Sequence, residues 1–297
     1  MKRKFPLYLI DVFTETPLEG NPCAVVLEAD SLSSEEMLKI SKEMNQSETA
    51  FILKSKNYSL KARYFTPERE IPLAGHPTIA TIFSALEMGM LKKSTGTIQK
   101  IQLELNDGPI FIEIKYINEQ PLIKMFQRKP KFLEIHDPKI VLPLFSLSLN
   151  DLLPGAVIQT VSTGTPQLMI PVKSIEILKR VSLNIDSYKI YREQKNFFSP
   201  HLFCLEGISK EASTFARHLG VFPDTSEDAF TGSATGAMAA YLFHYGYIKQ
   251  KQFIAEQGHL MNRPGQAHVS IVGIPDKIES VAIEGRAVMV MKGEFCL

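Results

Sequence analysis

Residues 226–242 read SEDAFTGSATGAMAAYL, and the reading of this stretch decides the fold. Glu227 and Asp228 precede a Thr231-Gly232-Ser233 turn, and a helix of small residues follows from about Ala234 and stops at Gly246. Gly232 lets the backbone turn tightly, and Thr231 or Ser233 is placed to cap the helix. The N–H groups of the first helical turn point outward with a partial positive charge, which suits an anion such as a carboxylate. The acids just before the turn are placed for proton work on that anion.

The same element occurs earlier in the chain. Ala74-Gly75-His76-Pro77-Thr78 opens a segment that ends at Gly89. Sliding it onto the later stretch puts Gly75 on Gly232, Gly89 on Gly246 and Leu91-Lys92 on Ile248-Lys249. Arg63 and Arg217 both lie upstream of their turns, and Thr16-Pro17 resembles Thr165-Pro166, each after an apolar strand-like run. Matched glycines with matched helix stops point to one ancestral unit used twice.

A chain of 297 residues has room for two domains. With 44% hydrophobic and 22% charged residues it reads as an ordinary soluble globular protein. A net charge of +1 argues against a broad nucleic-acid surface. The start, MKRKFPLYLIDVF, has a basic tip, but its apolar run is short and interrupted by Asp11, so it reads as a first strand and not a leader. No run is long enough to span a bilayer. Cys23, Cys204 and Cys296 are scattered and in no metal spacing, which fits a reducing cytoplasm.

Strands are expected at 7–13 and 23–28, a capped helix from Ser33 or Ser34 to near Met44, and strands at 51–54 and 60–66. The helix from Pro77 places Ile79, Ile82, Phe83 and Leu86 on one buried face. Residues 97–105 and 109–117 alternate around Asn106-Asp107-Gly108, a hairpin signal. In the second half, strands are expected at 156–163, 167–172, 187–191 and 201–206, with a helix near 174–182. Further strands follow at 252–256, 266–273, 279–284 and 287–292. The polar stretch around Arg128–Pro138 reads as the linker. Many short strands with two long buried helices make an α+β protein.

Five blocks in order carry a resemblance: DVFTETPLEGNPCAVV, NQSETAFIL, RYFTPEREIPLAGHPTIAT, SEDAFTGSATGAMAAYL and EQGHLMNRP. Together they resemble the PhzF-like phenazine-biosynthesis isomerase family, from Asp11 almost to the carboxyl end. The resemblance implies a diaminopimelate epimerase-like fold. Two pseudo-symmetric halves would each wrap a mostly antiparallel, curled sheet around a central helix, with the active site at the helix N-termini. It places residues 1–126 with 285–297 in one domain and 127–284 in the other. It also implies a homodimer.

Glu48 sits between a helix end and a strand, where a partly buried carboxylate has its pKa raised and suits a general base; it matches the family's catalytic glutamate. The resemblance makes His76 and Asp228 its partners, and has Gly75, Gly232 and Ser233 hold the carboxylate of a small anionic substrate. Glu70 and Glu227 read as structural groups that cap backbone N–H groups, and Met238, Tyr241 and Tyr245 as core. The implied activity is a cofactor-independent, metal-free isomerase similar to trans-2,3-dihydro-3-hydroxyanthranilate isomerase. Alternatives are an amino-acid epimerase or racemase, or a non-catalytic small-molecule-binding protein. No cysteine stands next to either turn, where Ala74 and Thr231 lie, so a thiol pair is not expected. The chain departs from the family pattern at Ala229-Phe230 and at Asn262.

Overall fold

A glycine in the left-handed region closes each of the two long buried helices. Gly89 (φ 76°) follows the helix Gly75–Glu87, and Gly246 (φ 72°) follows Gly232–His244. The closures match bond for bond. The N–H groups of Met90 and Leu91 both donate to the Ala85 carbonyl, and those of Tyr247 and Ile248 both donate to the Leu242 carbonyl. A residue with positive φ turns the chain back over the helix end, so the last carbonyls find partners. Within the first turns, the Thr78 hydroxyl donates to Ala74 O at 2.7 Å and the Thr235 hydroxyl to Thr231 O at 2.9 Å.

The computed structural model describes residues 3–94, 96–221 and 225–297, so the first two residues of the basic tip lie outside the described residues. In chain order come β1 (Lys4–Val12), β2 (Asn21–Val26), α1 (Ser34–Met44), β3 (Thr49–Leu53), β4 (Leu60–Phe65), β5 (Glu70–Ile71) and α2 (Gly75–Glu87). Strands β6 (Gln99–Leu105), β7 (Gly108–Ile117), β8 (Gln120–Phe126) and β9 (Lys131–His136) follow. Then come α3 (Pro138–Val141), β10 (Ile158–Ser162), β11 (Pro166–Pro171), α4 (Ile175–Arg180), α5 (Ile185–Glu193), β12 (Ser199–Cys204), β13 (Ala212–Val221) and β14 (Thr225–Asp228). The last elements are α6 (Gly232–His244), β15 (Gln252–Gln257), β16 (Gly265–Ile274), β17 (Lys277–Gly285) and β18 (Ala287–Cys296).

The chain forms two units, Met1–Phe126 with Glu284–Leu297, and Gln127–Ile283. In the first, β1 runs antiparallel to β18 and β2, β2 parallel to β3, and β3 antiparallel to β4. Strand β4 is antiparallel to β5 and parallel to β6, with β7 and β8 added as a meander. In the second, β10 runs antiparallel to β9 and β11, β11 parallel to β12, and β12 antiparallel to β13. Strand β13 is antiparallel to β14 and parallel to β15, which pairs antiparallel with β16. The pairing order is the same, so each central helix is the crossover of the same parallel pair.

Each sheet packs its inner face on its central helix, and α2 is buried from Gly75 to Leu86. The outer face of the first sheet packs Phe5, Leu7, Val26, Phe51 and Phe65 against Met37 and Ile40 of α1. That of the second packs Ile158, Leu168, Leu202 and Phe215 against Leu178 and Tyr188 of the two crossover helices. Each such side chain contributes ~2 kcal/mol by leaving water.

Several expectations need correction. Residues 187–191 are not a strand but lie in α5, whose first turn is capped by Asn184 accepting from Ser187 N–H at 3.2 Å. Tyr188 and Tyr191, three apart, pack inward while Ile190 is 60% exposed, a helical spacing that imitates alternation over so short a run. The stretch read as a linker contains β9, paired with β10. Thr16-Pro17 lies in the loop before β2. The true counterpart of Pro166, which pairs with Ser162, is Pro22, which pairs with Asp11. Helix α6 begins at Gly232 and not near Ala234, and neither Thr231 nor Ser233 caps it.

Candidate active site

The pairing registers set the site residues in corresponding places. Ala50 opposite Tyr64 matches His201 opposite His218, and Phe51 opposite Arg63 matches Leu202 opposite Arg217. Tyr64 opposite Ile71 matches His218 opposite Asp228, and Phe65 opposite Glu70 matches Leu219 opposite Glu227. Both arginines close a two-pronged bond on their glutamates. Arg63 reaches Glu70 at 2.7 and 2.6 Å, and Arg217 reaches Glu227 at 2.9 and 2.7 Å. Glu70 and Glu227 are therefore structural, but through guanidinium clamps and not by capping backbone N–H groups.

In the first unit, Glu48 precedes β3 and keeps 16% of its side chain exposed. Its Oε2 lies 3.4 Å from Nε2 of His76, the second residue of α2. Burial pushes the His76 imidazole down to about 3, so the ring is neutral near pH 7. The Asn21 amide nitrogen lies 3.1 Å from Nδ1, and the ring also meets the Pro22 backbone; in the tautomer that accepts the Asn21 N–H, the ring proton stands on Nε2, the nitrogen facing Glu48. Asn21 is delivered by Gly20 (φ 61°), where a Cβ would meet Val12 O at 2.2 Å, so only glycine fits. Gly75 is buried at the start of α2, and no side chain caps that turn. Cys23 is also close enough for the Glu48 charge to act on it. Burial first, and that charge second, push its thiol well up, so it stays protonated.

In the second unit, Asp228 ends β14 and is buried. The Thr231 hydroxyl donates to its Oδ2. Gln257 clamps the same turn: its amide N–H donates to Asp228 O at 2.8 Å, and its Oε1 accepts from Thr231 N–H at 3.2 Å. Gln127 donates to Gly232 O at 2.8 Å, passing over Gly236, where a Cβ would sit 1.9 Å from Gln127 Oε1. Thr163 donates to Ser233 O at 3.3 Å. The first turn of α6, like that of α2, has no side-chain cap, since Thr231 is turned to Asp228. Such a turn holds its N–H groups toward an anion.

The structure thus brings Glu48, His76 and Gly75 together in the first unit and Asp228, Gly232 and Ser233 together in the second. Met238 and Tyr241 are core, whereas Tyr245 is 37% exposed and donates to Gln159. Phe230, the departure beside Asp228, is fully buried. Asn21, Gln257 and Gln127 were not expected. The first two lie inside GNP and EQG, motif blocks whose glycines mark the turns around them, while Gln127 had no local signal. Among the described residues no three His, Cys, Asp or Glu side chains converge as metal ligands, and no helix is long and apolar enough to cross a membrane.

A family model described as phenazine biosynthesis-like protein matches residues 10–293. An uncharacterised isomerase of Clostridium acetobutylicum is 32% identical, covering 100% of both chains. The trans-2,3-dihydro-3-hydroxyanthranilate isomerase of Pseudomonas chlororaphis is 31% identical over 97% of this chain and 98% of its own. The crystal structure of a Bacillus anthracis phenazine biosynthesis protein of the PhzF family superposes with a TM-score of 0.89 at 30% identity, covering 99% of this chain and 100% of that one.

Proposed function

This chain belongs to the phenazine biosynthesis-like family, and from that premise we propose that it is a cofactor-independent isomerase moving a proton on a small carboxylate-bearing substrate. The reaction is of the kind named for its Pseudomonas relative, a trans-2,3-dihydro-3-hydroxyanthranilate isomerase. Glu48 takes the proton from an activated carbon and returns it at another. His76, neutral, holds its ring N–H toward the Glu48 carboxylate and steadies the charged form. Asp228 binds the amino group of the substrate. Gly75, Gly232 and Ser233, with the uncapped first turns of α2 and α6, bind its carboxylate. A cytoplasmic homodimer is part of the same proposal, and analytical ultracentrifugation tests the dimer.

The observation that supports this reading most is the largely buried Glu48 carboxylate 3.4 Å from a buried imidazole held neutral. An acceptor beside a fixed neutral donor takes up and releases a proton without an ion pair to break. A two-thiol epimerase is not favoured. Cys23 and Cys204 are buried and their thiols pushed up by that burial, the latter to about 11.

Solvent-deuterium incorporation by NMR tests the proposal. The protein and its Glu48→Gln variant are incubated in D2O with the dihydro-hydroxyanthranilate and a panel of amino acids. Incorporation at a ring carbon, lost in the variant, is the expected result. Incorporation at an amino-acid α-carbon makes the protein an epimerase. No exchange with any compound leaves the non-catalytic binder as the better reading.

A further inference from the structure

Stepping from Thr49 to Glu48 in the first unit corresponds to stepping from Pro200 to Ser199 in the second. Thr49 pairs with Ala24 of β2 as Pro200 pairs with Leu168 of β11, one residue past Cys23 and Gln167 respectively. Ser199 therefore stands where Glu48 stands. By the same registers His218 replaces Tyr64, and Asp228 replaces Ile71. The first unit has a carboxylate at the start of its third strand and an apolar partner for Tyr64. The second has a hydroxyl there, and has moved its carboxylate across the sheet to lie beside an imidazole.

Gln167, Ser199, His201 and His218 form a hydrogen-bonded chain, all within 1% of full burial. Ser199 Oγ donates to Gln167 Oε1 at 3.1 Å and lies 2.6 Å from His218 Nε2; His218 Nδ1 lies 3.2 Å from His201 Nδ1. Both ring nitrogens of His218 are thus committed inside the chain. Burial lowers both histidines, His201 to about 3, so the rings are neutral. His218 and Asp228 are direct antiparallel partners, and directly opposed residues share a face with Cβ atoms about 5 Å apart. Such an imidazole offers Asp228 a fixed flank and not a charged N–H. The carboxylate keeps its bond from Thr231.

We propose that Ser199 and His201 lock His218 as a positioning residue that sets the direction of the Asp228 carboxylate in the isomerase site. This rests on the role of Asp228 given under the proposed function, and its test has one arm that needs no turnover. In Ser199→Ala, His218 loses its Nε2 partner and can turn an N–H to Asp228. The 15N resonances of the imidazoles then change tautomer pattern, and the Asp228 carboxyl 13C resonance moves while that of Glu48 stays. With a substrate from the deuterium assay, kcat falls about tenfold with little change in KM, and Ser199→Thr, which restores the hydroxyl, recovers it. If Ser199→Ala does not fold, His201→Gln, which removes the hold on Nδ1, is read in the same two ways. A folded variant with an unmoved Asp228 resonance overturns the proposal whether or not turnover is seen. An Asp228 shift in a protein that turns nothing over sinks the proposed function and leaves the lock standing.

Discussion

The Glu48–His76 turn and the Asp228–Thr231 turn are made on one backbone plan and wired differently. Both helices start without a side-chain cap, both end at a left-handed glycine, and both turns are braced by an arginine clamped on a glutamate. The chemistry diverges at the side chains. The first turn sets a largely buried carboxylate against an imidazole. The second ties its carboxylate to the Thr231 hydroxyl, holds the Asp228 backbone carbonyl with Gln257 from the end of β15, and binds its two imidazoles to each other in a buried chain. A repeated frame fixes where groups can stand, and single substitutions on it decide which groups stand there; under the proposed function the first unit moves the proton and the second holds and orients.

The sharpest way to break that division is to neutralise each acid in turn. Glu48→Gln should cut turnover at least about a thousandfold with the fold kept, and Asp228→Asn about a hundredfold, both read by deuterium exchange beside a thermal melt. Equal losses would end the distinction between a proton-moving and an orienting unit.

Acid should strain the second unit more than the first. His76, His201 and His218 are held neutral by burial, well below the ordinary histidine value. The unfolded chain binds their protons as pH falls through about 6.5 and the folded chain does not, so stability present above that pH is lost below it. The loss is about 2 kcal/mol for each histidine at about pH 5, measured by urea unfolding at several pH values. His201→Phe should remove part of this slope. An unchanged slope would mean that His201 is not neutral in the fold.

The shared frame predicts matched costs. Glu70→Gln and Glu227→Gln should each lose about 2 kcal/mol, since each leaves a part-buried guanidinium without its carboxylate. Clearly unequal losses would show that the two clamps are alike in shape only. The smallest effect is at the helix ends. Gly89→Ala and Gly246→Ala meet no neighbouring atom, so each should cost only the backbone strain of positive φ, about 1 kcal/mol.

The duplication was legible because glycine leaves a chemical mark. At Gly89 and Gly246, both at positive φ, the backbone demand shows as residue type, and the small, apolar helices that they close could only be buried. His76 and Asp228 were legible as candidates because they lie at the two helix-opening turns, whereas Glu48 borders no glycine and was legible through the NQSETAFIL block that resembles the family. Short alternation was a weaker guide. At 187–191 five residues fit a strand and a helix equally well, and the Asn184 cap with the packing of Tyr188 decided for the helix.

By itself, then, the sequence determined the two helix-opening turns, the helices behind them and the acids before the second turn, since these depend on local backbone preference and local charge; that Thr231 turns to Asp228 and leaves its helix uncapped came only with the structure. Tertiary structure alone decided which residues correspond across the repeat. Strand register is set by pairing partners far along the chain, and the loops between the strands differ in length, so Ser199 could not be matched to Glu48, nor Asp228 to Ile71, until the strands were paired. It also decided what each acid touches. Gln257 reaches the Asp228 turn, and Asn21 reaches His76, only after the sheets have formed.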